Sequence, residues 1–323
     1  MTVRALAEIA PGEAEPSKLD LSFGLAEPEI LLPIEQCCEY KEVRIGNEVF
    51  KVPKYIKIHK TADEVLKIIP FATIEETGTM LYYKDGVYLY GGEAKVEALL
   101  HKSFHGYEIF NPDYTPRMVI AHLKGITMVS KDKFDANLDL INIKNGLYNW
   151  REKQLYNHSP NYLSRIQIPV DYVPDARCSK ISTVFDRVMK SEDINKFLEF
   201  AGYCLYRQYP IQKVFILLGP GRTGKSYVLD VLRQFIGDAN SCSVGLTNLS
   251  NNRFAGSDLH GKLLDVVNEM DAGQLLSSDL FKQITGGSKD PIRAERKYEH
   301  AFSFINFAKL VFATNKLPKT CDD

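Results

Sequence analysis

The chain has 323 residues, of which 45% are hydrophobic and 25% are charged, and these ordinary values predict a globular protein of two or three domains. Its formal net charge of −1 excludes a chain-wide basic field that would recruit nucleic acid, so any such contact must come from a local patch. No apolar run approaches the length of a membrane span, and the first residues lack the pattern of a secretory signal, so we expect a cytoplasmic protein without membrane contact.

The six cysteines are scattered along the chain, and none of them has the C-x-x-C spacing of a zinc site. This distribution does not indicate a disulfide framework either. Free thiols in a reducing compartment are the expected state.

Composition and periodicity divide the chain into three parts. Residues 1–40 combine Pro, Gly and Glu with little periodicity, and we interpret them as a mobile leader or linker. Residues 41–175 mix short strand and helix signals, which predicts a small α+β domain. Residues 176–323 alternate strands with helices, which predicts an α/β fold. The expected helices lie at 93–105, 115–128, 179–190, 194–207, 226–236 and 278–285, and the expected strands at 154–158, 165–169, 214–218, 262–267, 302–304 and 309–314.

Turn signals predict hairpins in the smaller domain. Gly46-Asn47 and Asp85-Gly86 each separate two apolar or aromatic segments, which is typical of a β-hairpin, and Asn145-Gly146 marks a third turn. Thr61 is the expected N-cap of a short helix, with Glu64 three residues on. The tyrosines of the second hairpin could stack on nucleic-acid bases, but we favour a half-buried aromatic hairpin that packs on a helix.

Residues 214–229 contain an apolar run, then the segment Gly219-Pro220-Gly221-Arg222-Thr223-Gly224-Lys225-Ser226, then a second apolar run that begins at Tyr227. A G-x-x-x-x-G-K-S pattern between a strand and a helix is typical of a phosphate-binding loop, so residues 219–227 are expected to bind a nucleoside triphosphate. Glycines let backbone N–H groups approach the phosphate oxygens closely. Lys225 would reach the β and γ phosphates, and Ser226 would ligate Mg²⁺. The alternative is a glycine turn followed by a chance Lys-Ser pair.

Two polar residues follow the strands predicted after this loop. Glu269 lies just past strand 262–267, where ligands bind in α/β sheets, and it is our candidate for holding Mg²⁺ and the attacking water. Asp265 could compete for that role, although it lies inside the strand. Asn315 follows strand 309–314 and is a candidate sensor of the γ-phosphate or the water, although an Asn at such a place is usually a turn residue.

A basic segment lies between these two strands. It contains Lys289, Arg293, Arg296 and Lys297, together with acidic residues that partly offset their charge. Arginine and lysine with an interleaved tyrosine suit a hairpin tip that contacts a phosphate backbone. A solvated charged surface explains the same residues equally well, so both interpretations stay open.

These motifs, in this order, resemble a superfamily 3 helicase of the phage and plasmid primase-helicase type, which is related to the poxvirus primase-helicase. The matching segments are 219–226, 261–269, 280–290, 294–298 and 309–318. Upstream segments resemble the domain that precedes the helicase in this family; they are 134–137, 143–147, 165–172 and 202–203. The resemblance covers residues 60–323.

The resemblance implies an AAA+-like P-loop ATPase core that assembles into a ring, usually a hexamer, around single-stranded or forked DNA. The activity would be ATP-dependent DNA unwinding in the replication of a virus or plasmid inside its host cell. ATP and Mg²⁺ would be the cofactors, and a primase or polymerase would be a further partner.

The family's functional residues carry over position by position. Lys225, Glu269 and Asn315 match the catalytic positions, and Ser226 with Glu269 matches the metal ligands. Segment 286–298 matches the extra motif whose hairpin carries a basic residue into the central channel. The DNA-contacting candidates are, in order, Lys297 and Arg296, with Arg293 and Lys289 beside them.

Two features depart from the family. The chain has no room for the family's primase domain, and it stops before the arginine finger, whose motif lies downstream of the sensor. Because such a finger contributes on the order of 10³–10⁵ in turnover, we expect a piece truncated after the sensor that binds nucleotide but hydrolyses and unwinds poorly. Two alternatives are a weakly active or non-catalytic nucleotide- and DNA-binding fragment, and a P-loop kinase of another class, although no arginine-rich lid follows the core.

Overall fold

The computed structural model describes residues 30–252, 254–269, 278–286, 290–297 and 301–316. Packing divides these residues into two compact units. The first unit comprises residues 30–137 and 158–165, and the second unit comprises residues 138–157 and 166–316. The predicted domains, 41–175 and 176–323, differ from these units chiefly in residues 138–157, which pack with the second unit; as independently folding domains they stay a prediction.

The first unit is built from a hairpin, a four-stranded sheet and three helices of more than ten residues. The hairpin β1–β2 is antiparallel and turns at residues 46–47 as predicted. The sheet has the order β5-β4-β3-β6, antiparallel except for the parallel pair β3–β6. The elements are α1 (Ile34–Cys37), β1 (Cys38–Ile45), β2 (Glu48–Ile56), α2 (Ile58–Ile68), β3 (Phe71–Ile74), β4 (Thr79–Lys84), β5 (Val87–Tyr90), α3 (Gly92–Ser103), α4 (Thr115–Ile126) and β6 (Met128–Val129).

The alternation of side chains along β4 fills both faces of this sheet. Met80 packs among α2, α3 and α4, while Leu81 faces the opposite cluster with Phe134. Tyr88 is 5% exposed and contacts Phe134 edge-on at 6.0 Å between ring centroids. The favoured half-buried aromatic hairpin is therefore confirmed, although Tyr90 at its end is exposed.

Two predictions at the start of this unit are wrong. The helix predicted to begin at Thr61 begins at Ile58, because the Ile58 side chain packs against the same core as the rest of α2. Thr61 is buried inside the helix, where its hydroxyl donates to the Lys57 carbonyl (3.0 Å). The mobile leader does not extend to residue 40, since Leu32 and Cys37 are buried in the core. Residues 1–29 lie outside the described part of the chain.

The second unit combines a parallel sheet with two small antiparallel sheets. The parallel sheet has the order β10-β15-β12-β11, and the antiparallel sheets are β7-β8-β9 and β13-β14. The mixed α/β architecture agrees with the prediction. The elements are β7 (Leu140–Ile143), β8 (Gly146–Asn149), β9 (Gln154–Tyr156), α5 (Ser179–Val188), α6 (Ser191–Cys204), β10 (Phe215–Leu218), α7 (Lys225–Ile236), β11 (Ser241–Cys242), α8 (Leu246–Asn251), β12 (Leu264–Val267), α9 (Ser278–Thr285), β13 (Ile292–Ala294), β14 (Phe302–Phe304) and β15 (Lys309–Thr314). The strand predicted at 165–169 makes one parallel bridge, Ile168 with Ile143, and no ladder.

The parallel sheet is covered on both faces. Val266 and Val311 contribute to a cluster with α5, α6 and α7, while Leu310 and Phe312 join a second cluster with residues of α8 and α9. All six residues of β15 are buried. A strand buried on both faces is the expected pattern for the interior of a parallel sheet between helical layers.

A buried lysine joins the start of β15 to the segment after α6. Lys309 has no exposed surface, and its ammonium donates to the carbonyls of Tyr206, Gln208 (2.8 Å) and Phe307 (2.9 Å). It also lies 4.5 Å from the Tyr203 ring centroid, a cation–π contact. Burial lowers the pKa of this lysine to about 7. The contacts with Tyr206 and Gln208 hold the connection between α6 and β10 against the sheet.

Candidate functional site

The carboxyl ends of three neighbouring strands meet at one edge of the parallel sheet. β10 pairs with β15 up to Leu218 and Thr314, and β15 pairs with β12. Because the three strands are parallel, the segments that follow them lie along the same edge. The loop 219–224, Asn315 and Glu269 therefore lie along the same edge, although up to 96 residues separate them in sequence.

The loop 219–224 leads from β10 directly into α7. Gly224 has φ +88° and is the N-cap of this helix, and Arg222 also has a positive φ of +63°. Gly219 and Gly221 do not have positive φ, so the conformational need for glycine lies at Gly224. The Thr223 hydroxyl donates to the Pro220 carbonyl (2.9 Å) and closes the turn. Six residues, 219–224, thus separate the end of β10 from the start of α7, and a helix N-terminus next to a strand end is a typical place for an anion to bind.

The Lys225 side chain connects the loop to Asn315, the residue that follows β15. Its ammonium donates to the carbonyls of Gly219 and Pro220, both at 2.7 Å, and to Oδ1 of Asn315 at 3.1 Å. The lysine is half-buried, whereas Ser226 beside it is exposed in the first turn of α7. The structure thus brings the predicted lysine and amide into contact beyond the strand ends, and the predicted hydroxyl lies on the residue after the lysine.

The two acidic candidates lie in different environments. Glu269 is exposed two residues beyond the end of β12, on the edge that carries the loop. Asp265 is fully buried inside β12, where its Oδ1 accepts from the Val244 N–H (2.7 Å) and from the Cys242 thiol (3.6 Å). Its Oδ2 has no hydrogen-bond partner among the described residues. Burial raises the pKa of Asp265 to about 7 and also raises that of the Cys242 thiol. A magnesium ion at the strand ends would meet Glu269 and not Asp265.

The basic segment forms part of a hairpin whose base is anchored by aromatic contacts. β13 and β14 pair antiparallel, with Ala294 opposite Phe302. The Arg296 guanidinium lies 5.1 Å from the Phe302 ring centroid, and its Nη2 lies 3.5 Å from Nδ1 of His260. His260 contacts the rings of Phe302 and Phe304 at 5.2 and 5.1 Å. Lys297, one residue farther out, is exposed.

The other two basic candidates, Arg293 and Lys289, are less well placed for the predicted contact with a phosphate backbone. Arg293 is exposed within β13, and Lys289 lies outside the described residues. Arg296 and Lys297 are therefore the basic side chains that the described part of the hairpin presents beyond its paired strands.

An open groove of about 430 Å³ lies beside this hairpin and apart from the loop 219–224. Its lining is mostly polar and consists of Ser243, Val244, Asn248, Asn252, Phe254, Ala255, Ser257, Asp258, Arg296 and Lys297. The sequence did not predict this groove because its lining joins residues 243–258 to residues 296–297, which are far apart in the chain. The Asn-rich run 248–252 was the one available signal.

No helix in the described part of the chain has the length and apolarity needed to cross a membrane. Within the same residues, His, Cys, Asp and Glu side chains form no group of three that could hold a metal ion.

Two family models match parts of the chain. Residues 111–200 match the model described as D5 N terminal like, and residues 217–323 match a family of unknown function, DUF5906. The first match includes α5 and most of α6, and the second includes the loop, Glu269 and Asn315. No curated protein matches the chain.

The fold is similar to that of the NrS-1 C-terminal region. Its apo structure has a TM-score of 0.51 and 12% sequence identity, over 81% of this chain and 59% of that one. Two A-form apo structures of the same region each have a TM-score of 0.48 and 13% identity; they cover 80% and 81% of this chain and 57% and 59% of theirs. The chain thus spans less than two thirds of the solved structures it resembles. At this level of identity the likeness concerns the fold alone.

The buried carboxyl of Asp265 predicts a pH-dependent stability. Its pKa is raised from 3.8 to about 7 in the folded state, so between these values the folded chain holds a proton that the unfolded chain has released. This contribution to stability is complete below the unfolded pKa and is lost as the pH rises through about 7, by at most about 4 kcal/mol. Asp265→Asn, which does not titrate, should flatten the decline of the unfolding free energy over this range.

Urea unfolding followed by circular dichroism at several pH values measures this effect. Asp230→Asn is the matched control, because it makes the same change on the exposed face of α7. If Asp265→Asn and the unaltered protein lose stability in parallel between pH 4 and 7, the carboxyl is not protonated in the fold.

Proposed function

We propose that this chain contains the ATP-binding core of a replicative DNA helicase of the primase-helicase type, in which ATP hydrolysis drives movement along single-stranded DNA. The observation that carries the proposal is the convergence of loop 219–224, Lys225, Asn315 and Glu269 on one edge of a parallel sheet. A phosphate loop, an acid and an amide on adjacent strands are the parts that phosphoryl transfer to water requires.

Each residue at this edge has a chemical role toward MgATP. The N–H groups of the loop and of the start of α7 would hold the β and γ phosphates, and Lys225 would neutralise their charge after leaving its carbonyl partners. Ser226 and Glu269 would hold Mg²⁺, which binds with few protein ligands and keeps its phosphate and water ligands. Glu269 would also orient the attacking water. Asn315, already in contact with Lys225, would hydrogen-bond the γ-phosphate or that water.

The hairpin β13–β14 supports the DNA part of the proposal. Arg296 is fixed at its base by Phe302 and His260, and Lys297 extends beyond it into solvent. A cation carried by a braced hairpin can contact a phosphate backbone without first being ordered, which lowers the entropic cost of binding. The net charge of the chain supplies no competing general attraction.

The family matches and the fold likeness support the same assignment for the wider protein. The D5 N terminal like match covers residues upstream of the loop, in the order that the primase-helicase resemblance requires. Assembly into a ring, usually a hexamer, and work beside a primase or polymerase follow from that resemblance and belong to the proposal. Phosphoryl transfer from ATP to a nucleotide or metabolite would instead favour a kinase.

Nucleotide binding is tested first on the loop. Lys225→Ala should weaken MgATP binding roughly 10- to 100-fold, because it removes charge-assisted contacts to the phosphates. Glu269→Gln should leave the affinity for ATP in EDTA unchanged but reduce the gain in affinity on adding Mg²⁺, and it should lower turnover. Isothermal titration calorimetry measures the two affinity effects, and phosphate release measures turnover. Lys144→Ala, in an exposed turn far along the chain, is the control and should bind as the unaltered protein does.

The nucleotide assignment fails if Lys225→Ala binds MgATP as tightly as the control. It fails in part if Glu269→Gln keeps the full Mg²⁺ dependence, since another residue would then hold the ion.

DNA binding is tested on the hairpin. Arg296→Ala with Lys297→Ala should weaken binding of a single-stranded oligonucleotide at least roughly tenfold, and two lost phosphate contacts should reduce the slope of log affinity against log salt by about 1.4. Fluorescence anisotropy across a salt series measures both quantities. Lys144→Ala with Arg177→Ala removes the same charge from exposed positions elsewhere in the second unit. If the two double variants lose the same affinity for the oligonucleotide, only net charge matters for binding. The proposed contact between the hairpin and DNA is then wrong.

A further inference from the structure

The phosphate loop rests against a residue that precedes it by more than thirty positions. A Cβ built on Gly224 would lie 2.6 Å from Cγ1 and 3.4 Å from Cβ of Val188, the last residue of α5. The first distance is far shorter than any normal contact between carbon atoms. The Val188 side chain therefore fills the space that a side chain on Gly224 would need.

The position of Val188 is set by a chain of aromatic contacts that ends in the strand before the loop. Phe185 of α5 meets Phe197 of α6 edge-on, with 5.5 Å between ring centroids. Phe197 meets Phe215 of β10 at 6.0 Å, and Phe200 stacks on the same ring at 4.7 Å. Phe185 and Phe197 are almost fully buried. These contacts join α5 to β10, so the end of α5 and the start of the loop are held in one packed cluster.

We propose that Val188 is a positioning residue for the nucleotide site. Its methyl groups support Gly224 from the side away from the phosphates, and so keep the N–H groups at the start of α7 aimed at the ligand. Gly224 alone would leave this turn loose, because a residue at positive φ without a side chain has the largest conformational freedom. The inference rests on the proposed function, since it assumes that the loop binds phosphate.

This contact gives the matched segments a shared role. α5 lies within residues 111–200, the segment that matches the D5 N terminal like model, whereas the loop lies within residues 217–323. The nucleotide site would then take its phosphate contacts from segment 217–323, whereas the residue that supports the loop would come from segment 111–200. A phosphate loop without α5 would bind nucleotide poorly for this reason.

Substitutions at Val188 separate this role from general stability. Val188→Ala removes the support, and Val188→Ile adds a methyl group where none fits; each should raise the Kd for MgATP roughly tenfold, because displacements of about 1 Å at a phosphate site are costly. Val188→Thr keeps the branched shape, so its Kd should remain within about twofold of that of the unaltered protein, while its hydroxyl among apolar side chains should lower the Tm. Inorganic triphosphate, which has only phosphate contacts, should lose affinity by the same factor as MgATP.

Val231→Ala is the matched control, because Val231 is also half-buried and packs against the same hydrophobic cluster but lies two turns along α7. Both alanine variants should lower the Tm by roughly 2–4 °C, while only Val188→Ala should raise the Kd. Displacement of a fluorescent ATP analogue measures the Kd for ATP and for triphosphate.

The inference is overturned if Val188→Ala binds within about twofold of the unaltered protein, or if Val231→Ala loses as much affinity. In either outcome the unaltered protein still binds MgATP, so the proposed function survives. An unaltered, folded protein that binds neither MgATP nor triphosphate overturns the proposed function, and the role of Val188 with it.

Discussion

The parallel pairing of β15 with β10 on one side and β12 on the other is the constraint on which the candidate site depends. It makes three strands end at one edge, and each strand is followed by a residue with a distinct chemistry: the loop and Lys225, the Asn315 amide, and the Glu269 carboxylate. Since β15 is buried along its whole length, this order is held by the core and not by the polar groups themselves. The polar residues can then be exchanged without loss of the sheet.

Helices around the sheet add a second constraint. α7 closes one face and presents its first turn at the strand ends, and α5 and α6 join β10 through the Phe185, Phe197 and Phe215 contacts. At the opposite end of these strands, where β15 begins, Lys309 holds the segment that connects α6 to β10. The loop 219–224 therefore lies between an anchored strand and an anchored helix.

Local patterns predicted much of this arrangement, and the failures have physical reasons. The hairpins at Gly46 and Asp85 were predictable because turn chemistry acts over two residues. The turn between β10 and α7 was predictable because a glycine-rich segment stands between two apolar runs, and Gly224 has the positive φ that favours glycine. The start of α2 was misplaced, since the core contact of Ile58 outweighs the capping preference of Thr61. The strand expected at 165–169 formed only the bridge between Ile168 and Ile143.

The sequence by itself determined the identity of the candidate chemistry: a glycine loop with Lys225 and Ser226, an acid at Glu269, an amide at Asn315 and cations near residue 297. Residue type and local spacing are sufficient for that, because phosphate and magnesium place strict demands on their ligands. Only the tertiary structure decided that Asp265 is buried while Glu269 faces solvent, that Arg296 is braced by Phe302, and that Val188 lies against Gly224. These outcomes depend on contacts between distant segments, which local periodicity does not record.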